Sequence, residues 1–168
     1  MRKVNRCQDK WQNVAFCLFG VLILLADQLS KSWIRNNLTE GWSLFESGFF
    51  RIVHVQNSGA AFGLLRDWSF ALIIIGLIMT AVIFAYVIVL YRYLPWFNNR
   101  LGKSALGLII GGSLGNLTDR IRFGYVTDFI DFDYWAAFNV ADSAVTVGSI
   151  LLAYILLRVG QAENAKNG

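Results

Sequence analysis

Charge, proline and histidine are all scarce in this sequence. Asp, Glu, Lys and Arg make up 15% of its 168 residues, where a soluble domain carries roughly 25%. A single proline excludes a proline-rich linker. The lone histidine, His54, and the absence of any HExxH pattern argue against a zinc protease. A Ser-His-Asp triad would also have to use His54, with no nucleophile elbow to support it. Cys7 and Cys17 lack zinc-site spacing, and their positions before and inside one apolar run speak against a disulfide. That first run is not followed by a small-residue cleavage site, so it is expected to stay in the protein as a span. No metal and no cofactor are expected.

What is abundant is apolar. The hydrophobic share is 56%, with thirteen Phe, six Trp and six Tyr, and mean hydropathy is +0.50. This exceeds what the core of one small domain absorbs, so lipid is the expected solvent, and the chain is expected to form a single integral membrane domain over residues 1–168. The net charge of +4 does not imply nucleic acid as a partner, because the basic residues lie between apolar runs rather than in one stripe.

Crossing a bilayer takes about 20 helical residues. Segments at about 11–33, 69–90, 104–121 and 139–159 meet that length, so the sequence predicts an all-α membrane protein, a four transmembrane helix bundle. The intervening stretch at about 34–67 is expected to be a small β-containing element on the outer (periplasmic) side. Its residues 50–55 are β-branched and aromatic, and Asn57-Ser58-Gly59 ends the run. Arg2, Lys3, Arg6, Lys10, Arg92, Arg100, Lys103, Arg158 and Lys166 all fall on one side of the spans. By the positive-inside rule that side, with both termini, is cytoplasmic. Gly107, Gly111 and Gly115 share one face of the third segment, a small-xxx-small pattern for close helix approach.

Polar groups inside spans are costly and each needs a reason. With this topology they gather at one depth: Asp27 and Lys31 on the first segment, Asn116, Asp119 and Arg120 on the third, Asn139 and Asp142 on the fourth. Such clustering favours a site near the outer surface over a conducting path, which needs polar groups through the full thickness. Each residue also has an ordinary role. Asp27 and Lys31, spaced i, i+4, suit a structural ion pair. Asp119 and Arg120 suit a helix end near water. Asn139 or Asp142 suits an N-cap. Asp128 suits a loop carboxylate, although its neighbours Val126, Phe129 and Ile130 point to partial burial.

With histidine and metal chemistry poorly supported, carboxylates remain. Lys31 offers a Ser-Lys dyad only through Ser30 or Ser32, neither on its helix face. Two carboxylates sharing one proton activate water without cofactor, because close like charges do not both ionise. Asp128 and Asp142 are the expected pair, with Asp119 the competitor.

The motifs also resemble a known family. Asp27-Gln28-Leu29-Ser30-Lys31, Gln56-Asn57-Ser58-Gly59-Ala60-Ala61-Phe62, the stretch from Gly111-Gly112 to Asn116 and Asp119-Arg120, Gly124-Tyr125-Val126-Thr127-Asp128-Phe129, and Phe138-Asn139-Val140-Ala141-Asp142-Ser143 resemble, in this order, motifs of the lipoprotein signal peptidases (signal peptidase II). The resemblance covers nearly the full length. It implies an aspartic endopeptidase of the bacterial cytoplasmic (inner) membrane that removes signal peptides from diacylglyceryl-modified prolipoproteins, with Asp128 and Asp142 catalytic. It further implies that Asn57, Asn116, Arg120 and Asn139 bind substrate, that Asp27, Lys31 and Asp119 support the site, and that membrane lipid and globomycin-type inhibitors are partners. The outer region with Trp42, Phe45 and Phe62 is expected to close over the site. The competing classes are a small transporter, a presenilin-like protease, for which a G-x-G-D motif is missing, and a non-catalytic assembly subunit held by the glycine face.

Overall fold

The computed structural model describes residues 6–58, 74, 75, 78, 81, 82, 85 and 100–167. Its long helices are α1 (Arg6–Asn37), α2 (Arg100–Phe123) and α3 (Val140–Asn167). Strands β1 (Ser43–Ser47) and β2 (Phe50–Asn57) follow α1, and β3 (Val126–Phe132) and β4 (Trp135–Phe138) lie between α2 and α3. The strands form one antiparallel sheet in the order β1-β2-β3-β4.

This corrects the expected all-α, four-helix architecture. Among the described residues there are three long helices and a four-stranded sheet, and two segments are long and apolar enough to cross a membrane, Phe16–Asn37 and Val140–Ala162. The expected span at 69–90 falls almost entirely outside the described residues, as do the belt residues Trp68, Tyr91, Tyr93 and Trp96. The helix expected at 104–121 is present as α2, but it is the central helix of the three rather than an apolar span. Ala105, Leu106, Gly107, Leu108 and Ile109 are buried in it. The β content is larger than expected because 126–132 pairs with the outer strand β2, and 135–138 pairs with 126–132, instead of running as a loop. Val126, Phe129, Ile130 and Phe132 supply the β-branched and aromatic side chains that fit a pleated surface.

Glycine lets the helices close on one another. A Cβ at Gly111 would lie 2.5 Å from the Gly20 carbonyl oxygen of α1, and one at Gly112 would collide with the Ala141 carbonyl oxygen of α3. One at Gly115 would lie 2.5 Å from Oδ2 of Asp27. The glycine face read from the sequence therefore packs α2 against α1, while the adjacent Gly112 packs it against α3. The opposite surfaces are apolar and exposed: Leu18, Leu22, Leu25, Leu29 and Trp33 run down α1, and Val147, Ile150, Tyr154 and Leu157 run down α3. Apolar stripes outside and ionisable groups inside invert the soluble pattern and fit a lipid environment.

Two local devices set the strand–helix connections. Gly124, with φ +79°, ends α2 by donating its N–H to the Arg120 carbonyl at 3.0 Å, and the chain turns directly into β3. At the other end β4 runs into Asn139, the N-cap of α3. On the sheet, Phe50 and Phe132 are cross-strand partners with ring centroids 5.3 Å apart, and Phe49 and Phe138 stack on Phe132.

Candidate active site

Asn139 and Asp142 form a reciprocal cap. The Asn139 side-chain oxygen accepts the Asp142 N–H at 3.0 Å, and Asp142 Oδ2 accepts the Asn139 N–H at 3.2 Å. This is capping-box geometry, with a carboxylate in the first turn, where the positive end of the helix dipole favours an anion. The capping role thus falls on two residues expected in the site, Asn139 as substrate-binding and Asp142 as catalytic, and the cap is what holds Asp142 in place.

Asp128 reaches the same point from the sheet. It opposes Val55 in the β2–β3 register, and Asn57 is two residues further along β2, so Asn57 and Asp128 share a face. Asn57 Nδ2 donates to Asp128 Oδ2 at 2.8 Å, and Asn139 Nδ2 donates to Asp128 Oδ1 at 2.6 Å. Asn139 therefore links the two carboxylates, its side-chain amide on Asp128 and its backbone N–H on Asp142. Asp128 is 1% exposed. Burial pushes its carboxyl up to about 6, with the nearby Asp142 adding in the same direction, against the lowering effects of the Asn57 and Asn139 hydrogen bonds and Lys31. It is not the solvated loop carboxylate of the ordinary reading.

Behind this pair lies a buried ionic network. Asp27, Lys31, Asp119 and Asn139 are 0% exposed. Lys31 Nζ sits 2.8 Å from Asp27 Oδ2 and 3.6 Å from Asp119 Oδ2, so the expected Asp27–Lys31 pair is present. Asp27 Oδ1 also accepts the Ala141 N–H at 2.9 Å, which gives the α3 N-terminus a second carboxylate cap. Asp119 accepts the Thr127 N–H at 3.0 Å and faces Arg35 at 3.4 Å, tying the start of β3 to α1 and α2. Asn116 lies between network and pair: its Oδ1 accepts from Lys31 at 2.7 Å, and its Nδ2 donates to Asp142 Oδ1 at 2.7 Å.

The expected residues Asp27, Lys31, Asn57, Asn116, Asp119, Asp128, Asn139 and Asp142 thus form one connected hydrogen-bonded cluster at one end of the helices. Arg120 is half-buried one turn beyond Asn116 on α2, and its side chain makes no hydrogen bond or ion pair among the described residues. Phe62, expected to help close the site, lies outside the described residues; Trp42 and Phe45 are exposed on the sheet side. Gln28, Arg35 and Thr127 belong to the cluster and were not anticipated. Gln28 Nε2 donates to Asp119 Oδ1 at 3.1 Å, and Arg35 Nη1 donates to Thr127 Oγ1 at 2.9 Å. Arg35 lies one helical turn beyond Lys31, so carrying the Asp27–Lys31 stripe one step further would have found it.

A family model described as Signal peptidase (SPase) II matches residues 19–158. A lipoprotein signal peptidase of Dehalococcoides mccartyi is 47% identical over 149 residues, covering 87% of this chain and 91% of its own. One from Moorella thermoacetica is 44% identical over 143 residues, 84% and 92%, and one from Cupriavidus taiwanensis is 39% identical over 167 residues, 94% and 90%. A solved bacterial membrane enzyme superposes with a TM-score of 0.73 at 31% identity, covering 85% of this chain and 92% of that one. In class, then, the protein is a membrane peptidase. It belongs to the signal peptidase II family.

Proposed function

We propose that the chain is an aspartic endopeptidase that removes signal peptides from diacylglyceryl-modified prolipoproteins, cutting just before the lipidated cysteine, with Asp128 and Asp142 as the catalytic pair. The observation that carries this reading is Asn139, which hydrogen-bonds both carboxylates and so brings a buried strand residue and a helix-capping residue to one point. One carboxylate of the pair takes a proton from a water held between them, and that water attacks the scissile carbonyl carbon. The protonated partner hydrogen-bonds the carbonyl oxygen and stabilises the charge that develops there. Collapse of the tetrahedral intermediate releases the new carboxyl end of the signal peptide and the amine of the lipidated cysteine, which takes up a proton.

In this reading Arg120, Asn57, Asn116 and Asn139 supply the polar groups that meet the substrate backbone, which in hydrocarbon would otherwise cost several kcal/mol per unpaired group. Asp27, Lys31 and Asp119 hold the pair's supports in place. The enzyme lies in the bacterial inner membrane with both termini cytoplasmic, so the site meets the outer leaflet, where the substrate's lipid resides. Membrane lipid surrounds the apolar helix faces, and globomycin-type compounds inhibit.

Purified protein incubated with a prolipoprotein, with and without its diacylglyceryl group, tests the substrate claim by mass spectrometry of the products. Cleavage immediately before the lipidated cysteine, and only of the lipidated form, is expected. Equal cutting of both forms would overturn the lipid requirement.

A further inference from the structure

Asn116 has one orientation open to it. Its Oδ1 accepts from the Lys31 ammonium at 2.7 Å and from Asn139 Nδ2 at 3.1 Å. An ammonium has no acceptor capacity, so turning the amide over would set its NH2 against two donors. With Oδ1 so held, Nδ2 donates to Asp142 Oδ1 at 2.7 Å. Asp142 Oδ2 accepts the Asn139 backbone N–H, and the residue lies in the first turn of α3. Each of these contacts sets a hydrogen-bond donor or the positive end of the helix dipole against the Asp142 carboxylate. The environment of Asp128 is different: a strand residue, buried, whose carboxyl is pushed up to about 6 chiefly by burial. The charged side chains of the network are Asp27, Lys31 and Arg35 on α1 and Asp119 on α2, with Arg120 one turn beyond Asn116. β2 brings the neutral Asn57 amide to Asp128.

We propose that Lys31 is a positioning residue: it locks the Asn116 amide toward Asp142, so that Asp142 is the base that takes the proton from water while Asp128 holds the shared proton for the scissile carbonyl oxygen. This rests on the aspartic-pair reading above and assigns its two roles. Lys31 touches neither water nor substrate in this scheme. Its effect passes through one amide and appears as a division of labour between two carboxylates of the same residue type.

The test uses full-length enzyme in detergent or lipid with lipidated prolipoprotein. Lys31→Met alone would strand the buried Asp27 charge, so the variant is Asp27→Asn/Lys31→Met, which removes both charges and keeps an oxygen for the Ala141 N–H. Asn116→Asp is a second, independent variant: it retains the acceptor for Lys31 but has no donor for Asp142. In the first the Asn116 amide is no longer locked toward Asp142, and in the second a carboxylate replaces its donor; each disfavours the charged form of the base, so the acidic limb of kcat/KM moves up by about one pH unit and kcat falls about tenfold or more. A structural role alone would lower the folded yield or raise KM without moving that limb. Infrared spectra at about pH 5, below the value to which burial pushes Asp128 and above the ordinary carboxylate value, compared between wild type and single variants, locate the proton directly. A protonated-carboxyl band that disappears in Asp128→Asn and persists in Asp142→Asn is expected. The reverse pattern, or an acidic limb that stays put in both relay variants, overturns the assignment. Turnover of Asp128→Asn and Asp142→Asn measured alongside separates the layers. If both are inactive while the limb stays put, only the role of Lys31 fails; if either works normally, the pair itself fails.

Discussion

Burial disfavours the charged form of Asp128, and that makes a prediction about pH. Its folded-state carboxyl titrates at about 6, against an ordinary value of 3.8. Between those values the folded protein binds more protons at this group than the unfolded chain, so its contribution to stability falls as pH rises through the window and is level above it. Asp128→Asn has no such group. The stability of the variant relative to wild type should therefore improve as pH rises from about 4 to about 6 and then stay constant, read by thermal unfolding in detergent. A flat difference across that range would mean the carboxyl is not raised. Asp27 is buried as well, and it is paired on two sides, with Lys31 and with the Ala141 N–H. Asp27→Ala removes the nearer of the two carboxylates paired with the buried Lys31 and a cap of α3, and should cost about 3–5 kcal/mol. Thermal unfolding checks this too, and a loss under about 1 kcal/mol would mean Asp119 alone neutralises Lys31. At this scale the sequence was legible because ionisable residues in apolar segments stand out. Asn139 and Asp142 were identified as a cap on one reading and as site residues on the other, and their reciprocal bonds are the cap. Gln28 and Thr127 were not legible, since a glutamine and a threonine beside polar neighbours carry no signal of burial.

The helices depend on contacts that admit no side chain. Gly111→Ala and Gly112→Ala each place a methyl group against backbone oxygens, of Gly20 and Ala141 respectively, where rotamer changes give no relief. Either should sharply lower the yield and melting temperature of folded protein. Gly160→Ala is the control: nothing lies within 4 Å of its added Cβ, and a helix gains about 0.5–1 kcal/mol from the exchange. Equal behaviour of all three would refute the packing role. The strands tell a different story about legibility. β2 was readable because 50–55 is rich in β-branched and aromatic residues, Phe50, Ile52, Val53 and Val55 among them. β3 and β4 were not. Asp128 and Asp131 interrupt the apolar pattern of β3, and β4 has four residues, too few for periodicity to register. Pairing with β2, from far along the chain, decides the conformation of β3, and β4 then pairs with β3; a long-range contact leaves no local trace.

For the whole molecule, the sequence conveyed the solvent better than the architecture. Apolar content identified lipid, and the exposed stripes on α1 and α3 agree with it. Counting apolar segments, however, treated every helix as alike. α2 is covered on both sides by α1 and α3, so its glycines and polar residues are tolerated without a high mean hydropathy. The orientation assigned in the proposed function gives an expected labelling pattern. In a background without Cys7 and Cys17, Tyr134→Cys, at a position 97% exposed in the β3–β4 turn, should react with a membrane-impermeant thiol reagent applied outside intact cells. Gln161→Cys, exposed near the end of α3, should react only after the membrane is opened. The opposite pattern would invert the topology and place the site on the cytoplasmic side.

The most direct test of the central claim is turnover of a diacylglyceryl-modified prolipoprotein by wild type, Asp128→Asn and Asp142→Asn, with folding of each checked by thermal unfolding. Asparagine keeps the size of the side chain and much of its hydrogen bonding but does not serve as the base or share the proton. Both variants should fold and lose activity by about 100-fold or more. Near-normal turnover by a folded Asp142→Asn would reduce that residue to a helix cap, and the same result for Asp128→Asn would reduce it to a buried strand carboxylate; either would contradict the two-aspartate account.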